Sequence, residues 1–167
     1  MKITVKDIAI NGIIAALYVV LTLITYPLSF EGIQFRFAEV LMLLVFFRKD
    51  YSIGLCVGCA LANLFSPLGL IDAGFGTFAT LLACLVLCFS KWLWVGALAP
   101  VVFNAFIVAL EISMVYDIWP EYWITCAQVA VGEFAVMAVG YIVVMIFKRR
   151  SGFMKLIRAK QNLEFKL

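Results

Sequence analysis

The chain has 167 residues, of which 66% are hydrophobic and only 14% are charged. It contains no histidine, its formal net charge is +3, and its mean hydropathy is +1.11. A soluble domain with so few polar side chains could not cover its own surface with them. The composition therefore excludes an ordinary soluble domain and indicates an integral membrane protein.

The first apolar run, at about residues 8–27, follows the basic residues Lys2 and Lys6. It is longer than the core of a signal peptide, and no small-residue cleavage site follows it, so we expect it to remain as the first membrane helix. Since no charged residue follows Asp7 within the run, this helix is expected not to line a polar site.

Small residues form a ridge on this first helix. Gly12 and Ala16 are four positions apart, and Ala15 lies beside them. Such ridges let another helix approach closely, although the same residues can equally serve packing inside the bundle.

Short polar or turn-forming breaks divide the chain into six apolar segments. These cover about residues 8–27, 35–47, 51–66, 73–90, 92–116 and 121–147, and a basic tail occupies residues 148–167. No break is long enough for a separate soluble domain. We therefore predict one all-α membrane domain over residues 1–167, with six transmembrane helices.

The second and third segments, 35–47 and 51–66, are too short to cross a bilayer as straight helices. At about 1.5 Å per residue they reach roughly 20 to 24 Å, which is less than the ~30 Å hydrocarbon core. Backbone that stops short of the surface is tolerated where a water-filled cavity receives it, so we predict a depression at the outer side. Local thinning of the bilayer is the alternative.

The positive charges predict the orientation. If every segment crosses once, all lysines and arginines except Arg36 lie on one side, which by the positive-inside rule is cytoplasmic, together with both termini. The agreeing residues are Lys2, Lys6, Arg48, Lys49, Lys91, Lys148, Arg149, Arg150, Lys155, Arg158, Lys160 and Lys166. The opposite loops contain the acids Glu31, Asp72, Asp117 and Glu121.

Arg36 and Glu39 form a charged pair at the start of the second segment. If both lie on one helix they share a face, so they can pair with each other or line a polar pocket together. Further polar residues fall mainly on the same outer half of the segments: Asn63, Asn104, Glu111, Gln128 and Glu133.

Three buried glutamates against one arginine leave an acid surplus in this half. A carboxylate accepts two parallel hydrogen bonds, which suits the N1–H and exocyclic amine of a guanine-type base, and it also attracts an ammonium group. The amides can bind such a ligand, or they can merely bond neighbouring helices. Together these residues favour a small, flat, polar ligand.

The cysteines and the known nucleotide motifs give no sign of chemistry. All five cysteines lie in apolar segments, and with no histidine present we predict packing roles and no metal site. The cysteines are Cys56, Cys59, Cys84, Cys88 and Cys126. The sequence also lacks a phosphate-binding P-loop run. We therefore expect a binding subunit without enzyme activity, whose energy comes from another protein.

Several runs of this sequence resemble one known family. The most specific are IQFRFAE at residues 33–39 and DAGFGTFATL at residues 72–81, and weaker ones lie at residues 9–22, 58–63, 100–104 and 131–133. They are similar to the substrate-binding S components of energy-coupling-factor (ECF) transporters, and within these to the QueT family assigned to queuosine precursors.

The resemblance implies a six-helix S component in the cell membrane that binds its ligand from outside. It implies docking through the first helices, with contacts at Gly12, Ala15 and Ala16, onto a transmembrane coupling subunit that carries two ATPases. ATP is then used by those partners, and this chain needs no cofactor. The implied ligand is a deazapurine base such as queuine or aminomethyl-deazaguanine, and Asp72, Phe75 and Thr77 fall where S components often place binding or lid residues.

Two other classes stay open. One is an S component for a different vitamin, such as riboflavin, thiamine or folate. The other is a small membrane enzyme or channel, which would need polar residues to continue into the inner half, where the sequence has few. A nucleic-acid partner is not predicted.

Overall fold

The computed structural model describes residues 4–30 and 33–161, and within them the fold is entirely helical. Lys2, Glu31 and Lys166, which were used to predict the orientation, lie outside the described residues. The helices are α1 (Val5–Ile24), α2 (Tyr26–Phe30), α3 (Leu43–Phe47), α4 (Tyr51–Asn63), α5 (Leu70–Phe89), α6 (Leu93–Tyr116), α7 (Tyr122–Phe147) and α8 (Ser151–Leu156). Two 3-10 segments, Phe37–Met42 and Trp119–Glu121, lead into α3 and α7.

Four helical stretches are long and apolar enough to cross a membrane. They are α1, α5, α6 and the stretch 119–147. The stretches 37–47 and 51–63 are apolar but shorter, as the sequence predicted. The all-α membrane class is confirmed, whereas the number of crossings remains a prediction.

Several segment boundaries differ by about three residues from those predicted, and two of these differences bear on the site. The first run divides, because α1 ends at Ile24 and Pro27 lies in the first turn of the separate helix α2, where a missing backbone N–H costs little. The fourth run begins earlier, at Leu70, directly after Gly69, whose positive φ of 55° turns the chain into α5. Asp72 therefore lies in the first turn of a helix rather than in a loop, where the helix dipole favours a negative charge.

The helices form a ring around one short central element. α6 packs against both α5 and α7, α4 packs against α1 and α5, and the 3-10 segment Phe37–Met42 closes the ring between α1 and α7. α3 continues inward from that segment and contacts α4, α5, α6 and α7. Its side chains Leu43, Phe46 and Phe47 are fully buried, so the shortest apolar segment lies within the core that the surrounding helices complete.

The small residues of the α1 ridge lie on two different faces of the helix, one packed against α4 and one exposed. A Cβ built on Gly58 of α4 would lie 2.9 Å from the carbonyl oxygen of Ala15, so the two helices approach closely there, and Ala15 is buried in that contact. Gly12 and Ala16 are exposed on the other side of α1.

An ion cluster joins the start of α1 to the C-terminal tail. Arg48 pairs with Asp7 and, at 2.9 Å, with Asp50, and the Nζ of Lys160 donates to Asp50 at 3.2 Å. The backbone N–H groups of Lys160 and Gln161 donate to the carbonyl of Phe47 at the end of α3. We call this end of the bundle the tail end.

The same cluster fixes the charge of Asp50, which lies between α3 and α4. Burial raises the pKa of this carboxyl, but hydrogen bonds from Lys160 and Arg48 outweigh it and hold the pKa below its ordinary value. The tail is therefore bound to the bundle by ionised groups as well as by backbone hydrogen bonds.

Candidate functional site

A cavity of about 270 Å³, lined by both apolar and polar side chains, opens at the end of the bundle opposite the tail end. The cavity lies where α5 and α7 begin and α6 ends. Its volume is close to the lower limit of the roughly 300–1,000 Å³ that is common for ligand pockets. Its lining residues are Phe30, Gln34, Pro67, Leu68, Asp72, Val108, Glu111, Ile112, Tyr116, Ile118, Thr125 and Gln128. The depression predicted from the short second and third segments lies at this end.

Gln34 reaches the cavity because the backbone turns sharply before the central segment. Its φ of 50° lies in the left-handed region. The turn is held close to α7, since a Cβ on Gly132 would collide with the carbonyl oxygen of Ile33. Gly132 thus lets the chain pass directly beside the polar residues of α7.

Arg36 and Asp72 form a buried ion pair at the wall of the cavity. The Nη2 of Arg36 lies 3.5 Å from Oδ1 of Asp72, and the two side chains are 4% and 7% exposed. Neither that oxygen nor any guanidinium nitrogen makes a hydrogen bond to the described protein. Buried charged groups normally have such hydrogen bonds, so the carboxylate of Asp72 and the guanidinium of Arg36 both retain the capacity to bind a ligand.

Gly76 makes room for this pair. A Cβ there would collide with Nδ2 of Asn63 and would lie 3.5 Å from Nη1 of Arg36. Asn63 uses that Nδ2 to donate to the carbonyl of Asp72 at 3.1 Å. Gly76, the second glycine of the DAGFGTFATL run, therefore allows the amide of Asn63 and the guanidinium of Arg36 to pack against α5.

Glu39 is completely buried, and its hydrogen-bond partner is a residue of α1 rather than Arg36. Its Oε1 accepts a hydrogen bond of 2.6 Å from the hydroxyl of Tyr18, while Oε2 has no partner in the described protein. Of the two arrangements that the sequence left open for Arg36 and Glu39, direct pairing is not the one observed, because Arg36 pairs with Asp72. None of the residues that line the cavity comes from α1, in agreement with the expectation for that helix, but Tyr18 of α1 bonds to Glu39 behind the cavity.

Asn104 and Glu133 connect α6 to α7 below the cavity. The Nδ2 of Asn104 donates to Oε1 of Glu133 at 3.0 Å, and both side chains are buried. Their other oxygens, Oδ1 and Oε2, make no hydrogen bond to the described protein. The amide thus bonds a neighbouring helix, as one interpretation of the sequence held, and still leaves two acceptors free.

Glu111 lines the cavity without a hydrogen-bond or ion-pair partner among the described residues. The residue is 1% exposed, and neither carboxylate oxygen accepts a hydrogen bond from the described part of the chain. Asp72 and Arg36 are the charged groups that act on it electrostatically. Among the buried acids of this region, Glu111 is therefore the one whose negative charge is least balanced by donors or cations.

The remaining predicted residues lie at the margin of this site. Gln128 lines the cavity but is exposed, and Phe75 is half-buried and does not line it. Thr77 has a buried hydroxyl without a partner in the described residues. Sequence reasoning missed Tyr18, Gln34 and Thr125, since uncharged polar side chains in or beside apolar runs give little signal.

The site thus has two layers. Asp72, Glu111 and Gln128 line the cavity, and Arg36 joins them through its ion pair with Asp72. The second layer is fully buried and does not line the cavity: Glu39, Asn63, Asn104 and Glu133. The unpaired acceptors and guanidinium donors that these layers hold together match the edge of a small polar ligand.

A bundle of apolar helices, with a cavity at one end that carries acidic residues and with further ionisable residues behind it, defines a membrane protein that handles a small polar solute. The family model described as QueT transporter matches residues 8–149. This chain belongs to the QueT transporter family, which confirms the resemblance seen in the sequence motifs.

One curated relative is the queuosine precursor transporter QueT of Lactococcus lactis subsp. cremoris. The two chains are 33% identical over 150 residues, a match that covers 80% of this chain and 87% of the relative. No solved structure matches the chain significantly.

Proposed function

We propose that this protein is the substrate-binding S component of an ECF-type importer in the cell membrane. It captures a queuosine precursor, a deazapurine base such as queuine or aminomethyl-deazaguanine, from outside. A transmembrane coupling subunit and two ATPase subunits then provide the energy for release into the cell. Membership of the QueT transporter family and the name of the Lactococcus relative support transport of this class of solute.

The observation that carries the proposal is the Arg36–Asp72 pair beside the cavity. A deazaguanine edge presents two adjacent donors, N1–H and the exocyclic amine, next to a carbonyl acceptor. A carboxylate can accept both donors, and a neighbouring guanidinium can donate to the carbonyl. At 3.5 Å the two groups attract each other without a hydrogen bond. The carboxylate can therefore accept hydrogen bonds from a ligand, and the guanidinium can donate to it.

The proposed orientation of the protein in the membrane rests on the positions of the ion cluster and the cavity, which lie at opposite ends of the bundle. The tail end carries Arg48, Arg158 and Lys160, and the positive-inside rule assigns that end to the cytoplasm. The cavity then faces outward, with six crossings and both termini inside. The exposed residues Gly12 and Ala16 of α1 provide a surface for the coupling subunit.

Mass spectrometry of ligand released from gently purified protein tests the proposed substrate. A deazapurine is the expected result, whereas riboflavin, thiamine or folate would identify an S component for a different vitamin. Calorimetric titration with queuine and aminomethyl-deazaguanine should then give saturable binding by the protein alone.

The variant Asp72→Asn connects that binding to the cavity. It keeps the shape of the side chain but replaces one acceptor with a donor, so we expect a loss of about 2–5 kcal/mol in binding free energy. Asp117→Asn is the matched control, because Asp117 is exposed near the same end of the bundle and asparagine tolerates its left-handed backbone. Equal binding by both variants would contradict the assigned role of Asp72.

A further inference from the structure

The acids of this site differ in what compensates them. Arg36 pairs with Asp72, Tyr18 donates to Glu39, and Asn104 donates to Glu133. Glu111 has neither an ion-pair partner nor a hydrogen-bond donor among the described residues. One buried carboxylate at the cavity therefore lacks a positive group.

A buried carboxylate without a partner either takes up a proton or receives a cation, because an isolated charge is costly away from water. The position of Glu111 favours a cation. Glu133 lies in the packed interior and does not line the cavity, but Glu111, although only 1% exposed, is part of the cavity wall. Its two free oxygens can accept hydrogen bonds from one ammonium group.

We propose that Glu111 binds the protonated amine of the transported base and so selects precursors that carry a positive charge. This rests on the proposed function, since it assigns a second contact in the same cavity. Asp72 and Arg36 recognise the guanine-like edge, and Glu111 recognises the alkylammonium substituent on the other ring. The site then favours aminomethyl-deazaguanine and queuine over neutral deazaguanines of the same shape.

The charge of the whole site also favours a cationic ligand. Four acids, Glu39, Asp72, Glu111 and Glu133, face one arginine, so a cationic ligand lowers the electrostatic cost of binding whereas a neutral ligand does not. A ligand that cannot donate to Glu111 leaves its carboxylate buried and unpaired, and this is a strong basis for discrimination.

The test compares two ligands that differ in one group. Aminomethyl-deazaguanine and its hydroxymethyl analogue are titrated calorimetrically into the full-length protein. We expect the amine to bind at least about tenfold more tightly, ~1.4 kcal/mol. In Glu111→Gln this preference should disappear, mainly because the amine binds more weakly, while affinity for the hydroxymethyl analogue stays within about twofold.

Two further variants separate the possible causes. Glu121→Gln removes an exposed carboxylate at the same end of the bundle and should keep the preference, which excludes a general effect of surface charge. Glu111→Asp keeps the charge and should keep the preference with lower affinity. If Glu111→Gln does not fold, the affinity of Glu111→Asp for the amine decides the question: a weaker affinity than that of the parent supports the role of Glu111, and an unchanged affinity contradicts it.

The outcomes distinguish the two proposals. If the parent binds both analogues equally, or if Glu111→Gln retains the preference, the role of Glu111 is wrong but the protein is still a deazapurine receptor. If no deazapurine binds to the parent, the proposed function is wrong and the role of Glu111 falls with it.

Discussion

The hydroxyl of Tyr18 donates a hydrogen bond of 2.6 Å to Oε1 of Glu39. The two residues are 21 positions apart and lie on α1 and on the central 3-10 segment, respectively. Both are buried, so this bond joins the helix with the exposed small-residue surface to the polar network beside the cavity. It is a direct physical link between the surface proposed for docking and the proposed ligand site.

Replacing Tyr18 with phenylalanine should destabilise the protein. The substitution removes the donor to Glu39 and leaves a buried carboxylate with one bond fewer, at a cost of about 1–3 kcal/mol. A melting temperature lower by about 2–4 °C per kcal/mol is expected from tryptophan fluorescence. Tyr141→Phe is the matched control, because Tyr141 makes no hydrogen bond within the described part of the chain. Equal melting of both variants would show that the Tyr18–Glu39 bond contributes nothing.

The sequence predicted the helical segments well because their signal is strong. Long apolar runs need helices in a bilayer, and a charge inside such a run is costly enough to mark a site by itself. Glu39, Glu111 and Glu133 were identified in this way, and the structure places all three in or beside the polar site. Which acid lines the cavity depends on helix rotation, which the sequence does not give.

The pairing within the site could not be predicted from local spacing. Positions three apart left Glu39 open as a partner of Arg36, but the structure brings Asp72 from a different helix to the guanidinium. Two further features depend on tertiary contacts: the left-handed turn at Gln34 and the approach of α5 at Gly76. Neither produces a periodic pattern in the sequence.

A double-mutant cycle on Arg36 and Asp72 tests whether their ion pair stabilises the fold. Each single substitution, Arg36→Gln or Asp72→Asn, leaves one buried charge uncompensated and should cost about 3–5 kcal/mol. The double variant should be more stable than the sum predicts, by about 0.5–3 kcal/mol of coupling. Denaturation in detergent measures all four proteins. Additive effects would mean that the 3.5 Å contact carries no pair energy.

The divided ridge of α1 predicts different results for neighbouring residues. Gly12→Trp and Ala16→Trp change an exposed surface, so folding and ligand binding should persist while uptake is lost if this surface meets the coupling subunit. Ala15→Trp should instead destabilise the protein, because Ala15 is buried against Gly58. Ile13→Trp on the same helix is the control, since Ile13 is 60% exposed. If Gly12→Trp and Ala16→Trp lose binding as completely as uptake, the ridge does not serve docking.

Cysteine labelling from the two sides of the membrane tests the orientation. In a cysteine-free background, cysteines at positions 49 and 155 should react only from the cytoplasm, and one at position 121 only from outside. All three positions are exposed in the structure, so failure to react from one side reports the membrane rather than burial. Reaction at position 155 from outside would overturn the arrangement with both termini inside.

The ion cluster at the tail end predicts a stability that depends on pH. Because the folded protein holds the pKa of Asp50 below its ordinary value, ionised Asp50 stabilises the fold at any pH above the unfolded pKa of about 3.9. That contribution is lost as the pH falls through the lower, folded pKa. At neutral pH, Asp50→Asn should therefore melt below the parent, since Arg48 and Lys160 lose their charged partner.

The difference between the parent and Asp50→Asn should shrink as the pH is lowered beneath about 4, because the parent's carboxyl then becomes neutral as well. Melting curves of both proteins across this range, with exposed Glu121→Gln as the control, measure the effect. A constant difference at every pH would show that Asp50 acts through packing rather than through its charge. In that case the tail is held by the hydrogen bonds from Lys160 and Gln161 to the carbonyl of Phe47, and removing the chain beyond Ala159 should destabilise the protein at all pH values.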